Sequence, residues 1–164
     1  MITPLFGDPA PGCYVVDAAT SSAVLLGSAR PSIAVRPLRV RACVTGRVTI
    51  AAGGEVLDAA FLLTPEPGLR LRRGPAWRRG PTCVTTVRTY RISSCQYRTQ
   101  IELAWAKLAA SAVLSLWTRA PQPGDRPHTL RLRALTAGGP FEALRRDGAA
   151  VPRVWMRLIL NRDQ

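Results

Sequence analysis

Residues Gln96–Trp105 constrain the fold more than any other stretch of the chain. Tyr97, Thr99, Ile101, Leu103 and Trp105 alternate with Gln96, Arg98, Gln100 and Glu102. A period of two places one set on an apolar face and the other on a polar face, which is the pattern of a half-buried strand. Such a strand needs neighbours at its edges and a second layer against its apolar face. The chain must therefore supply more strands, and it does.

Leu38, Val40, Ala42 and Val44 alternate with Arg39, Arg41 and Cys43, and Gly46 interrupts the pattern before Arg47–Ala51. Leu69–Arg73 and Leu130–Ala134 repeat the leucine/arginine alternation. Val84–Ile92 is rich in β-branched and aromatic residues, with Ser93-Ser94 as a turn. Arg153–Leu160 places Val154, Met156 and Leu158 on one side and Trp155, Arg157 and Ile159 on the other. Cys13–Ala18 and Ala23–Ser28 are shorter runs of β type. Turn signals at Gly53-Gly54, Gly74–Pro81, Ala120–Pro127, Gly138–Pro140 and Asp147-Gly148 separate these segments.

Two segments stay ambiguous. Glu55–Leu63 fits a short helix, with Val56, Ala59, Ala60 and Leu63 at helical spacing, and fits a core strand equally. Lys107–Trp117 is alanine-rich and fits a helix through Leu108, Ala112 and Leu116, or a strand from Val113. Phe141–Arg146 suits one helical turn. The expected fold is mainly β: a single-domain antiparallel β-sandwich or barrel-like fold of seven to nine strands, with one or two short helices. An extended, proline-rich arm at residues 1–12 precedes the β-rich domain at 13–164.

Charge sets the chemistry. The formal net charge is +13, and 22 of the 23 basic residues are arginine, Lys107 being the exception. From Pro67 to Ile101 there are eight arginines and no acidic residue. A chain so charged repels itself and attracts polyanions, of which nucleic acid and anionic membrane are the natural examples. On strands, the leucine/arginine tracts turn Arg39, Arg41, Arg70, Arg72, Arg131 and Arg133 outward. Arginine suits phosphate because its planar fork binds two oxygens at once. In the Gly-Pro-bounded loop, Trp77 sits among Arg73, Arg78 and Arg79 and offers a stacking surface. Arg88, Arg91 and Arg98 continue the acid-free window. These thirteen residues are the candidate polyanion-binding set. Trp105, Trp117 and Trp155 lie in apolar runs and read as core.

No enzyme is expected. His128 is the only histidine, it follows a proline-rich loop, and no Gly-x-Ser-x-Gly accompanies it. The carboxylates are scattered, and no phosphate-binding loop of the recognised kinds occurs. Cys13, Cys43, Cys83 and Cys95 form no Cys-x-x-Cys and read as free, mostly buried thiols, so no metal is expected. No cofactor and no small-molecule substrate are expected. Met1–Gly12 lacks the basic-then-apolar order of a secretory signal, and no apolar run is long enough for a spanning helix.

The run Tyr97-Arg98-Thr99-Gln100-Ile101-Glu102-Leu103, with the alanine-rich stretch closing on Leu116-Trp117, resembles the late core strand of rhabdovirus-type matrix proteins. Gly53–Leu63 resembles the short helix that follows an early core strand there. The resemblance covers about thirty residues. A lysine-rich N-terminal tail and a Pro-Pro-x-Tyr motif, both part of that pattern, are missing. The resemblance implies a small viral structural protein that self-assembles as a homo-oligomer in the virion and host cytoplasm. It would bind RNA or ribonucleoprotein and an anionic membrane surface. The alternatives are a small jelly-roll capsid protein packaging single-stranded RNA and a non-structural RNA-binding protein such as a silencing suppressor.

Overall fold

A computed structural model of the protein describes residues 9–27, 38–54, 57–66, 80–136 and 152–163. These residues form nine strands: β1 (Gly12–Val16), β2 (Ser22–Gly27), β3 (Leu38–Ile50), β4 (Leu57–Pro65), β5 (Thr82–Ser93), β6 (Gln96–Trp105), β7 (Leu108–Arg119), β8 (Thr129–Thr136) and β9 (Arg153–Arg162). All pairings are antiparallel, and each strand from β3 to β9 pairs with the next. The ladder closes because β1 and β2 each lie between β3 and β9. They run the same way and share one position, so the nine strands make a closed barrel of eight places. This is one sheet curled on itself, not the two stacked sheets of a sandwich. Among the described residues there is no helix, and none long and apolar enough to cross a membrane.

The shared position is interrupted at Asp17–Ser21, where the chain turns away from the ladder. Asp17 N–H donates to the Ile159 carbonyl at 2.8 Å. The Ser21 hydroxyl accepts from Ile159 N–H at 2.9 Å. β9 thus keeps partners across the gap, and no backbone group of Ile159 is left bare.

The break that the sequence places at Gly46, with a second strand or a bulge beyond it, is neither: β3 runs through Gly46 for 13 residues with its β4 register unbroken. The φ of Gly46 is +148°, and a Cβ there would come within 2.1 Å of the Ala60 carbonyl oxygen. Glycine lets β3 lie close against β4 at the point where its partner changes from β2 to β1.

Inward positions carry the apolar set, as the alternation requires. Leu25, Val44, Leu57, Leu63, Leu103, Leu114, Leu116, Met156 and Leu160 are fully buried. With no accessible surface left, these side chains are packed against one another and their neighbours. Large and small residues alternate across the ladder: Ile101 faces Ala112, Leu103 faces Ala110, and Ala134 faces Met156. This explains the ambiguous alanine-rich segment. Lys107–Trp117 is mostly β7, because Ala110 and Ala112 make room for bulky partners on β6, and packing overrides helix propensity.

The helix-or-strand ambiguity over Glu55–Leu63 is likewise decided for strand from Leu57. From Leu57 the segment is β4, with Leu57, Ala59, Phe61 and Leu63 inward. This corrects the helix implied there by the matrix resemblance. The expected helical turn at Phe141–Arg146 lies outside the described residues. So do most of the arm at 1–12 and the tract Leu69–Arg73.

Polar groups that enter the barrel are mostly bonded. The Tyr97 hydroxyl donates to the Gly54 carbonyl at 2.6 Å and ties the β5–β6 hairpin over the β3–β4 turn. The Thr99 hydroxyl donates to the Arg88 carbonyl at 3.0 Å. The four thiols are free but not mostly buried: Cys43 and Cys83 are exposed, and Cys13 and Cys95 are half-buried. Cys43 and Cys83 fall on outward positions of β3 and β5, between inward neighbours.

Candidate functional site

The described inward side chains are buried, so the outward positions carry the surface chemistry. The richest sector spans β7, β8 and β9. Trp117 of β7 lies directly opposite Arg133 of β8, and Arg133 lies directly opposite Arg157 of β9. In the adjoining row, Ser115 faces Leu135, and Leu135 faces Trp155. Two indoles and two guanidinium groups therefore share a patch two rows deep and three strands wide. A groove of about 790 Å³ lies here, lined by Trp117, Arg133, Leu135 and Trp155 together with Cys95 and the segment Thr118–Gln122.

The expectation that Trp117 and Trp155 are core is corrected: both are half-buried on the outside, and only Trp105 is interior. The alternation of Arg153–Leu160 already sets Trp155 beside Arg157 on one face. The facing of Trp117 and Arg133 depends on β7–β8 register, which nothing local in the sequence specifies.

Charge in this sector is unbalanced. Like charges directly opposite on a ladder destabilise it. Arg119 also faces Arg131. Arg131 has a counter-ion: its Nη2 and Nε donate to the two Asp125 carboxylate oxygens at 2.6 and 2.8 Å. The Arg131 guanidinium, then the Gln122 backbone N–H, hold the Asp125 carboxyl down to about 2. That pair pins the loop that walls the groove. Arg133 and Arg157, by contrast, are exposed, and no carboxylate meets either among the described residues.

The other sequence candidates disperse. Arg39 and Arg41 are exposed on β3, opposite Leu26 and Val24 of β2. Arg41 shares a row with Trp155, separated by Val24. Arg88 and Arg98 are exposed on the β5–β6 hairpin, and the Arg88 guanidinium lies 5.1 Å from the centre of the Tyr90 ring. Arg91 is half-buried on the inward side, 5.9 Å from the Tyr97 ring. Arg70, Arg72, Arg73, Trp77, Arg78 and Arg79 lie outside the described residues. Of the expected set, the β7–β9 sector holds Arg131 and Arg133, to which the structure adds Arg157, Trp117 and Trp155. His128 sits exposed in the β7–β8 loop at φ +65°. Among the described residues no cluster of side chains could hold a metal ion.

No family model matches the chain, and no curated protein matches it. The barrel has a structural counterpart. Burkholderia cenocepacia BcnA, known from a crystal structure, superposes with a TM-score of 0.55 over 88% of this chain and 98% of that one, at 8% identity. At that identity the likeness concerns the fold alone.

Proposed function

We propose that the protein binds single-stranded nucleic acid, RNA in the sequence-based expectation, along the outer face of β7–β9. A phosphate between Arg133 and Arg157 would relieve their mutual repulsion and satisfy both guanidinium forks. Flanking bases would stack on Trp117 and Trp155, an arrangement that accepts any sequence because every base has a flat face. The observation that carries this reading is the Arg133–Arg157 pair, which no carboxylate meets among the described residues, beside two half-buried tryptophans. Arg41, Arg98 and Arg119 extend the positive track to either side. The matrix, capsid and suppressor readings share this step, contact between an arginine-rich face and a polyanion. They differ in assembly, which mass measurement in solution with and without RNA separates.

Quenching of tryptophan fluorescence by an oligouridine, followed across salt, tests the proposal. For single strands the slope of log K against log salt should be about −0.7 per phosphate neutralised. Replacing both Arg133 and Arg157 with glutamate should abolish the quenching. Binding with no salt dependence, or binding that survives this double substitution, refutes the assignment. Phosphatidylserine vesicles form the parallel arm: capture by vesicles without quenching by RNA moves the polyanion from nucleic acid to membrane.

A further inference from the structure

Past Thr86, β5 parts from β4. The two strands pair only where Ala60–Leu63 meets Thr82–Thr85. A register shift between Thr86 and Arg88 marks a bulge, after which β5 follows β6 alone. The β4 backbone beside the gap is served by side chains instead of a ladder. The Thr86 hydroxyl accepts from Ala59 N–H at 2.9 Å, and the Thr89 hydroxyl donates to the Leu57 carbonyl at 2.5 Å. Among the described residues, no strand covers the β4-facing edge of residues 87–92. In an otherwise closed barrel, this is a stretch of open edge.

The strip is also chemically distinct. Val87, Ile92 and Tyr90 are 66%, 51% and 43% exposed, the most exposed large apolar residues described. All three favour extended backbone. Arg88 packs against Tyr90, and Arg98 lies directly opposite Tyr90 on β6. No acidic residue occurs between Thr82 and Ile101. Open edges of this kind accept an added strand through main-chain hydrogen bonds, with side-chain contacts setting the preference. A second copy of this chain is a poor candidate for that strand. Antiparallel self-pairing here would oppose two hairpins that each carry Arg88 and Arg98 on the exposed face.

We propose that the edge of β5 over residues 87–92 is a strand-addition site for an extended acidic peptide. Its backbone continues the sheet, its carboxylates meet Arg88 and Arg98, and its apolar residues cover Val87 and Ile92. The proposal uses none of the residues that line the groove on β7–β9.

A synthetic peptide alternating glutamate and valine is the probe. Amide hydrogen exchange and fluorescence anisotropy on the full chain are the readouts. Peptide binding should protect amides within residues 87–92, and methylating alternate peptide nitrogens should weaken binding by about tenfold or more, because main-chain hydrogen bonds are lost with charge unchanged. Val87→Lys with Ile92→Glu, both at exposed positions, should weaken binding while the thermal midpoint holds. Arg133→Glu with Arg157→Glu should leave it intact, so failure at the groove and failure at the edge give different results. The proposal is overturned if the methylated peptide binds as well as its parent, if protection appears on β7–β9 instead, or if residues 87–92 gain protection on concentrating the protein alone.

Discussion

Inside the barrel, Leu130, Leu132 and Ala134 of β8 meet Leu160, Leu158 and Met156 of β9. On the outside of the same two strands, Arg133 meets Arg157. The inner row has apolar partners and almost no accessible surface to offer. The outer row has like charges, two flanking indoles and an open groove. Alternation along one strand thus separates what holds the fold together from what faces a ligand. A second contrast lies within the outer face. Arg131 and Arg133 are two residues apart on one side of β8, yet Asp125 neutralises the first and, among the described residues, no carboxylate meets the second. Neutralised, Arg131 anchors a loop; the structure leaves Arg133 available.

Substitutions can sharpen or break this contrast between faces. The largest effect is expected at Gly46. Gly46→Val places a Cβ against backbone at Ala60 and Phe61, with distances of 2.1 and 2.9 Å. A loss of about 3 kcal/mol or more is expected in urea unfolding, because backbone atoms cannot swing aside. Leu132→Ala should cost about 3 kcal/mol by leaving a cavity between β7 and β9. Oligouridine affinity per folded molecule should be unchanged. A parallel loss of affinity would mean that the two faces are coupled.

On the outside, Trp155→Ala should remove about 1–3 kcal/mol of RNA binding, read by titration, with a smaller change in the thermal midpoint. Arg157→Glu is more discriminating. It turns a repulsive cross-strand pair into an attractive one, so stability should rise by about 0.2–1 kcal/mol while RNA affinity falls. If both fall together, Arg157 is structural and the contrast fails.

The smallest effect concerns Asp125. Its folded carboxyl is held at about 2, below the reference value of 3.8. The contribution of the Asp125–Arg131 pair is therefore complete above about pH 4 and disappears as the pH falls through about 2. Carboxyl chemical shifts followed by NMR should report that low midpoint. Asp125→Asn should remove this part of the acid dependence, and a normal midpoint would show that the loop is not anchored in solution.

Much of the fold was legible. The alternations at Gln96–Trp105, Leu130–Ala134 and Arg153–Leu160 gave the correct faces, because period two is a local property of extended backbone. Helix and strand both stayed open at Glu55–Leu63 and Lys107–Trp117, where alanine satisfies both templates, and the structure forms strands. Ala110 and Ala112 prefer helix by themselves and strand only when Ile101 and Leu103 stand opposite. The site was less legible. Leucine/arginine tracts announced outward arginines, but not which would lack a partner. Arg131 and Arg133 are indistinguishable in sequence, and only the return of the β7–β8 loop gives one of them Asp125.

The sequence by itself determined the β class, the sidedness of most strands and the excess of positive charge. These follow from the alternation of neighbouring side chains and from composition. The tertiary structure decided that the sheet closes into a barrel rather than stacking as a sandwich. It also decided that Trp117 and Trp155 face outward beside Arg133 and Arg157, and that among the described residues β4 pairs with β5 only up to Thr85. Closure, register and the bulge at Thr86 are relations between distant strands. Their energies come from cross-strand packing and hydrogen bonding, which no local pattern encodes.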